Sequence, residues 1–188
     1  MTKEKAIELL SDKSLNVEKV KEIYHNFKDD RETVGQVAMN LSLKTSVYNL
    51  EVGKSDTMIE LLVELANSDD MGSRWAVAKN PHTPVEILER LSKDKINLVR
   101  ALVATNPKTP SKILESLFSD EKIVRDGLSG NPQTPLKILK VLSDDKDKMV
   151  RMRLAENPSA TKDILNKLLK DSDENVAKAS EVNLRELS

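Results

Sequence analysis

Four arginines, Arg74, Arg100, Arg125 and Arg151, recur at near-equal intervals along this 188-residue chain. A guanidinium repeated at fixed spacing has one chemistry to offer: paired N–H donors that hold a planar anion, either phosphate or carboxylate. If the anions come from outside, the column is a stripe that meets nucleic-acid phosphates one per step. If they belong to the chain, the partners are at hand, because each arginine follows an acidic residue, Asp69, Asp94, Asp120 or Asp145, by five or six positions. The column is then an internal Asp–Arg ladder tying the loop of one segment to its neighbour, and this reading is preferred because such networks are commonly internal. The position after each arginine holds Trp75, Ala101, Asp126 and Met152, and a second position four residues on holds Lys79, Thr105, Gly130 and Glu156. Slots that accept such different side chains are expected to be exposed. Trp75, the one tryptophan, is a natural anchor for a protein partner; its alternative role is to fill a misfit against an irregular N-terminal region. The candidate binding surface is therefore Arg74, Trp75, Lys79, Arg100, Arg125, Arg151, Met152 and Arg153.

Other chemistries find few residues to work with. His25 and His82 are the only histidines, and His82 shares its slot with Lys108, Gln133 and Ser159, a slot that is simply polar. Neither a histidine metal site nor a Ser-His-Asp arrangement is indicated. With no cysteine the chain has no disulfide, thiolate nucleophile or sulfur ligand, which suits a reducing compartment. The five glycines form no phosphate-binding loop. No catalytic residue, cofactor or metal is expected. A net charge of -1 gives no bulk field towards nucleic acid or an acidic membrane surface. The start, MTKEKAIELL, lacks the long apolar run of a signal peptide, and no later window approaches a membrane span, so a cytoplasmic location is expected.

The elements that position the arginines are repeats. Asn80, Asn106, Asn131, Asn157 and Asn183 mark intervals of 25 or 26 residues, three of them opening the turns NPHTP, NPKTP and NPQTP. Within a unit, Thr83 is expected to cap a helix that begins at Pro84, with Glu86 completing a capping box, and Thr57 with Glu60 repeats the box. Ile87, Leu88 and Leu91 form an apolar edge, matched by Ile113, Leu114 and Leu117, by Ile138, Leu139 and Leu142, and by Ile164, Leu165 and Leu168. After a polar loop, a shorter second helix turns Val99, Val103 and Ala104 inward. Asn106 is expected to end it in the left-handed conformation that asparagine tolerates, with the following proline preventing continuation. Aromatics make up only 3% of the chain, so Leu, Ile, Val and Ala must build the core, which favours closely packed helices. A two-helix unit of this size cannot bury its apolar face alone and must stack on its copies. The expected fold is an all-α, right-handed helical solenoid, with units near 56–79, 80–105, 106–130, 131–156 and 157–182. Residues 1–55 form a helical N-terminal cap, with helices around Lys5 to Leu10 and Val17 to Phe27 and a weak echo of the repeat ending at Asn40.

The recurring NPKTP turn, the ILESL helix, Asp120 in the loop and the Val124–Arg125 start of the second helix resemble the leucine-rich repeat variant family, a short HEAT-like repeat. The resemblance runs from about residue 56 to 183. It implies a superhelix in which α-helices alternate with shorter, sometimes 3₁₀, helices, and it implies no enzyme activity. One member type carries an iron–sulfur module held by cysteines, which a chain without cysteine does not contain. The expectation is a non-enzymatic scaffold that binds a protein through variable second-helix side chains. The alternative is DNA binding through the arginine column. Apolar surface on the last unit could also serve a homodimer.

Overall fold

A computed structural model describes residues 1–44 and 53–187. Segment 45–52, which falls within the expected cap, lies outside the described residues. Among those described the fold is all-α: thirteen helices and no strand. The chain divides into two compact units, Met1–Leu91 and Ser92–Ser188, and each is a stack of helical repeats.

In the first unit the helices are α1 (Lys3–Leu10), α2 (Val17–Asn26), α3 (Arg31–Leu43), α4 (Asp56–Leu65), α5 (Met71–Lys79) and α6 (Val85–Leu91). Helices α1, α3 and α5 pack side by side, while α2 packs on α4. The region that reads as irregular has its own register, longer than the later one. Asp30 caps α3 by accepting from the Thr33 N–H, and Asp70, forty residues on, caps α5 by accepting from the Ser73 N–H, each at 2.8 Å. Across the helix pair α2 and α4, Lys21 pairs with Glu60, His25 with Glu64 and the Thr57 hydroxyl with Glu18, each 39 residues apart. The echo at Asn40 is thus a full repeat.

The second unit holds α7 (Asn97–Thr105), α8 (Ser111–Ser116), α9 (Lys122–Gly130), α10 (Leu136–Leu142), α11 (Lys148–Ala155), α12 (Lys162–Leu168) and α13 (Glu174–Glu186). The second helices α7, α9, α11 and α13 pack in sequence, and α10 and α12 each touch the second helices on either side of them. The expected core is the observed one: Leu114, Leu139 and Leu165 on the first helices and Val99, Val103, Val124, Val150 and Leu154 on the second are at most 1% exposed. The second helices are α-helical throughout, so no 3₁₀ alternation occurs among them. Gly127 lets α9 approach α7 closely, since a Cβ there would stand 2.9 Å from the Ala101 carbonyl oxygen.

Three local expectations need correction. Asn80, Asn106 and Asn131 end their helices in extended backbone, with φ between -68° and -83°, and no described non-glycine residue has positive φ. The stop comes from the following proline. Where leucine follows instead, at Asn40–Leu41 and Asn183–Leu184, the helix runs on through the asparagine. Secondly, the threonine of the turn reaches backward instead of forward: the Thr83, Thr109 and Thr134 hydroxyls donate to the Val77, Val103 and Leu128 carbonyls at 2.6, 2.6 and 2.7 Å. They add a second donor to helix C-terminal carbonyls that already accept the asparagine N–H three residues on. Thirdly, Pro110 and Pro135 occupy the N-cap position itself, one residue before the expected place, and accept the first helical bonds through their carbonyls. Near Thr57 the cap is Ser55, which accepts from the Met58 N–H at 3.3 Å. Only the last turn caps with threonine: Thr161, standing where the other units have proline, accepts from the Ile164 N–H at 3.5 Å.

Candidate functional site

The arginine column begins with the loop that precedes each second helix. Asp94, Asp145 and Asp171 each accept the N–H two residues on, at 2.9 Å, a short turn that holds the carboxylate in place as the helix starts. One turn into the helix, the guanidinium spans two loops. Arg100 donates through Nη1 to the Asp94 carbonyl of its own loop at 2.7 Å, and through Nε and Nη2 to both carboxylate oxygens of Asp120 at 2.5 and 2.7 Å. Arg125 does the same with the Asp120 carbonyl and the Asp145 carboxylate, and Arg151 with the Asp145 carbonyl and the Asp171 carboxylate. Asp120 and Asp145 therefore each give a carbonyl to one arginine and a carboxylate to the arginine one repeat earlier, while Asp94 gives Arg100 its carbonyl and Asp171 gives Arg151 its carboxylate. In the first unit Arg74 is buried, with Nη1 donating to the Ser68 and Asp69 carbonyls at 2.9 and 3.0 Å.

Charge and burial are consistent with an internal role. The side chains of Arg100, Arg125 and Arg151 are only 15 to 19% exposed, and Asp145 and Asp171 are 7% exposed. The Arg100 and Arg151 guanidinium groups hold the Asp120 and Asp171 carboxyls below the usual carboxylate range. At Asp145 burial pushes the carboxyl up, but the bonds from Arg125 and from the Asp147 N–H outweigh it, and the net shift is downward. Sequence reading proposed a ladder tying one loop to its neighbour, but named only the aspartates five or six residues before each arginine and missed Asp171. The signal for it was there, one repeat beyond Asp145.

A second ladder escaped sequence reading altogether. The Asn131 amide donates to the Ala104 and Asn106 carbonyls at 2.7 and 3.0 Å, the Asn157 amide to those of Ser129 and Asn131, and the Asn183 amide to those of Ala155 and Asn157. Asn40 does likewise with Leu10 and Asp12. Each asparagine thus bonds the backbone of the preceding repeat. The only hint was that asparagine kept its slot where no proline followed.

The slots that differ between copies lie elsewhere. The slot after the arginine is less open than expected: Trp75, Asp126 and Met152 are half-buried and Ala101 is buried. The slot one turn on is open at Lys79, Thr105 and Glu156. In the first unit the two slots interact, with Lys79 Nζ 5.1 Å from the centroid of the Trp75 ring. In the second unit Arg153 reaches back to Asp126 at 3.6 Å, and a groove of about 450 Å³ opens between α11 and α13, lined by Met152, Glu156, Asn175, Lys178, Ala179, Val182, Asn183 and Glu186. The candidate residues thus separate into two sets. Arg100, Arg125 and Arg151 sit in the ladder, Arg74 is buried on loop carbonyls, and Trp75, Lys79, Met152 and Arg153 remain on the outer face of second helices.

The histidines do not converge on a common site. His25 lies on α2 with Nε2 3.2 Å from Glu64, and His82 sits in its turn with its ring over Gly53, where a Cβ would stand 2.3 Å from the ring. Its slot is polar, but at this copy the ring is packed. Among the described residues no group of three or more His, Asp or Glu side chains is placed to hold a metal ion, and no helix is long and apolar enough to cross a membrane. No protein-family model matches the chain, and no curated protein matches it in sequence.

Proposed function

We propose that this chain is a non-enzymatic repeat scaffold that binds another protein through the variable side chains of its second helices. One observation carries the reading: the groups that recur from copy to copy are occupied inside the stack, arginine with aspartate and asparagine with backbone carbonyls, whereas among the groups that differ Lys79, Thr105 and Glu156 are open and Trp75 and Met152 half-open. The recurring set makes a stiff frame, and a stiff frame lowers the ordering cost of binding. Trp75 with Lys79, and Met152 beside its groove, are the side chains with the area and chemistry to anchor a partner. The resemblance to leucine-rich repeat variants is in keeping with a scaffold role, and the lack of cysteine with a cytoplasmic setting.

The test is capture of partners from the native host by the wild-type chain and by Trp75→Ala and Met152→Ala variants shown to be folded by circular dichroism. The reading expects a protein partner whose recovery survives nuclease and falls with at least one variant. Recovery that is abolished by nuclease, or untouched by both variants, would sink it. The arginine column is half-buried to buried and bonded to its own loops, so direct binding to duplex DNA should lack the salt slope of roughly -3.6 that four phosphate contacts would give.

A further inference from the structure

The groove between α11 and α13 combines apolar and acidic side chains. Met152, Ala179 and Val182 are apolar, and Val182 is 55% exposed despite sitting mid-helix. Glu156 lies one helical turn beyond Met152 and Glu186 one turn beyond Val182, and Lys178 also lines the groove. Glu156 is the C-cap of α11 and Glu186 the last residue of α13, so both carboxylates lie at the negative end of a helix dipole. The nearby cations are engaged elsewhere: Arg153 with Asp126, Lys178 with Glu174, and Arg185 with Glu181. Neither Glu156 nor Glu186 forms an ion pair with a described residue. An apolar floor followed by two unpaired carboxylates is complementary to an apolar and a basic side chain spaced one turn apart.

We propose that this groove receives an amphipathic helix of a partner protein that carries Lys or Arg four residues from an apolar anchor, the anchor packing on Met152 and Val182 and the cation meeting Glu156 and Glu186. The inference rests on the protein-binding reading above and supplies its partner chemistry. A helix fits because the floor is itself two helices, and a third laid between them buries its apolar stripe as in other helix-in-groove complexes. Methionine suits such a floor because its flexible thioether adapts to the incoming side chain. The two carboxylates set orientation and speed encounter, so binding weakens as salt rises.

The probe is a fluorescent synthetic helix of about 16 residues, long enough to be helical, built of leucine, alanine and lysine with Leu and Lys four apart. A second peptide has every lysine replaced by glutamate. Binding is read by anisotropy on the full chain, and the site by amide shifts on α11 and α13. The basic peptide is expected to bind and the acidic one not to. The double variant Glu156→Lys, Glu186→Lys should weaken binding by about tenfold or more, whereas Glu86→Lys with Asp163→Lys, the same change of net charge on first helices, should leave it unchanged. Equal loss in both double variants would mean general charge attraction and would overturn the proposal, as would binding of the acidic peptide. A concentration-dependent dimer that Glu186→Lys disrupts would give the groove to a second copy and overturn it too. A host partner lost with Trp75→Ala but not with the groove variant would remove this proposal and leave the scaffold reading standing.

Discussion

Asn131 uses one carboxamide for three hydrogen bonds: its amide donates to two carbonyls of the preceding repeat, and its Oδ1 accepts the Gln133 N–H at 2.8 Å. The side chain is 1% exposed, so water cannot replace what it gives up. Asn131→Ala is expected to lower stability by about 3 kcal/mol, measured by urea unfolding, because buried carbonyls lose their donors. Asn131→Asp separates the two roles of this residue. Were asparagine only a helix terminator, aspartate would be a mild change; as a rung, aspartate aims an anion at two carbonyl oxygens and should be at least as damaging as alanine. A near-neutral Asn131→Asp would refute the rung. At Asn40 the helix continues where the Asn-Pro repeats turn, and its Oδ1 is the one buried side-chain polar atom left without a partner among the described residues.

Helix pairing can be tested with glycine. Alanine in a helix interior gains up to about 1 kcal/mol over glycine. At Gly127 that gain meets the Ala101 carbonyl oxygen at 2.9 Å and the Ala104 Cβ at 3.0 Å, both on α7. Gly127→Ala must push α9 off its neighbour, and a net loss of about 1–3 kcal/mol is expected, typical of an overpacked interior. Gly35, on α3, has nothing within 4 Å of its would-be Cβ, so Gly35→Ala should keep the helix gain of about 0.5–1 kcal/mol. The pair of thermal melts is the measurement; shifts of the same sign would disprove the close approach. The turns between these helices work as a relay. Proline stops one helix and its successor starts the next, while the intervening threonine gives a second hydrogen bond to a carbonyl of the helix just ended.

For the molecule as a whole, the Asp–Arg ladder couples stacking in the second unit to pH. Asp120, Asp145 and Asp171 all titrate below the usual carboxylate range in the folded chain. The unfolded chain therefore takes up protons first as pH falls. The ladder's contribution is complete above the ordinary aspartate pKa, near 4, and is lost as pH drops through the lower folded values. Urea midpoints should be flat from neutral pH down to about 5 and fall steeply below about 4. Asp145→Asn should cost about 2 kcal/mol at neutral pH, since hydrogen bonds to a charged group are the strong ones, and should flatten the acid limb. An acid limb unchanged in Asp145→Asn would show that other carboxylates carry it.

The sequence by itself determined the all-α repeat, its register from Asn80 onward and its core, because a unit too small to bury its own apolar face must write the same face into every copy. It also showed which charged groups recur and that each second-helix arginine follows an acidic loop residue. Only the tertiary structure decided the pairing of those groups. A bidentate bond from Arg125 to Asp145 joins residues twenty apart, and nothing in local spacing distinguishes it from a bond to the aspartate five residues before. The same holds for the asparagine amides, whose acceptors are backbone carbonyls of the previous repeat and leave no mark in side-chain identity. The groove between α11 and α13 depends on which face of each helix its neighbour covers, and that is fixed by the stacking of repeats.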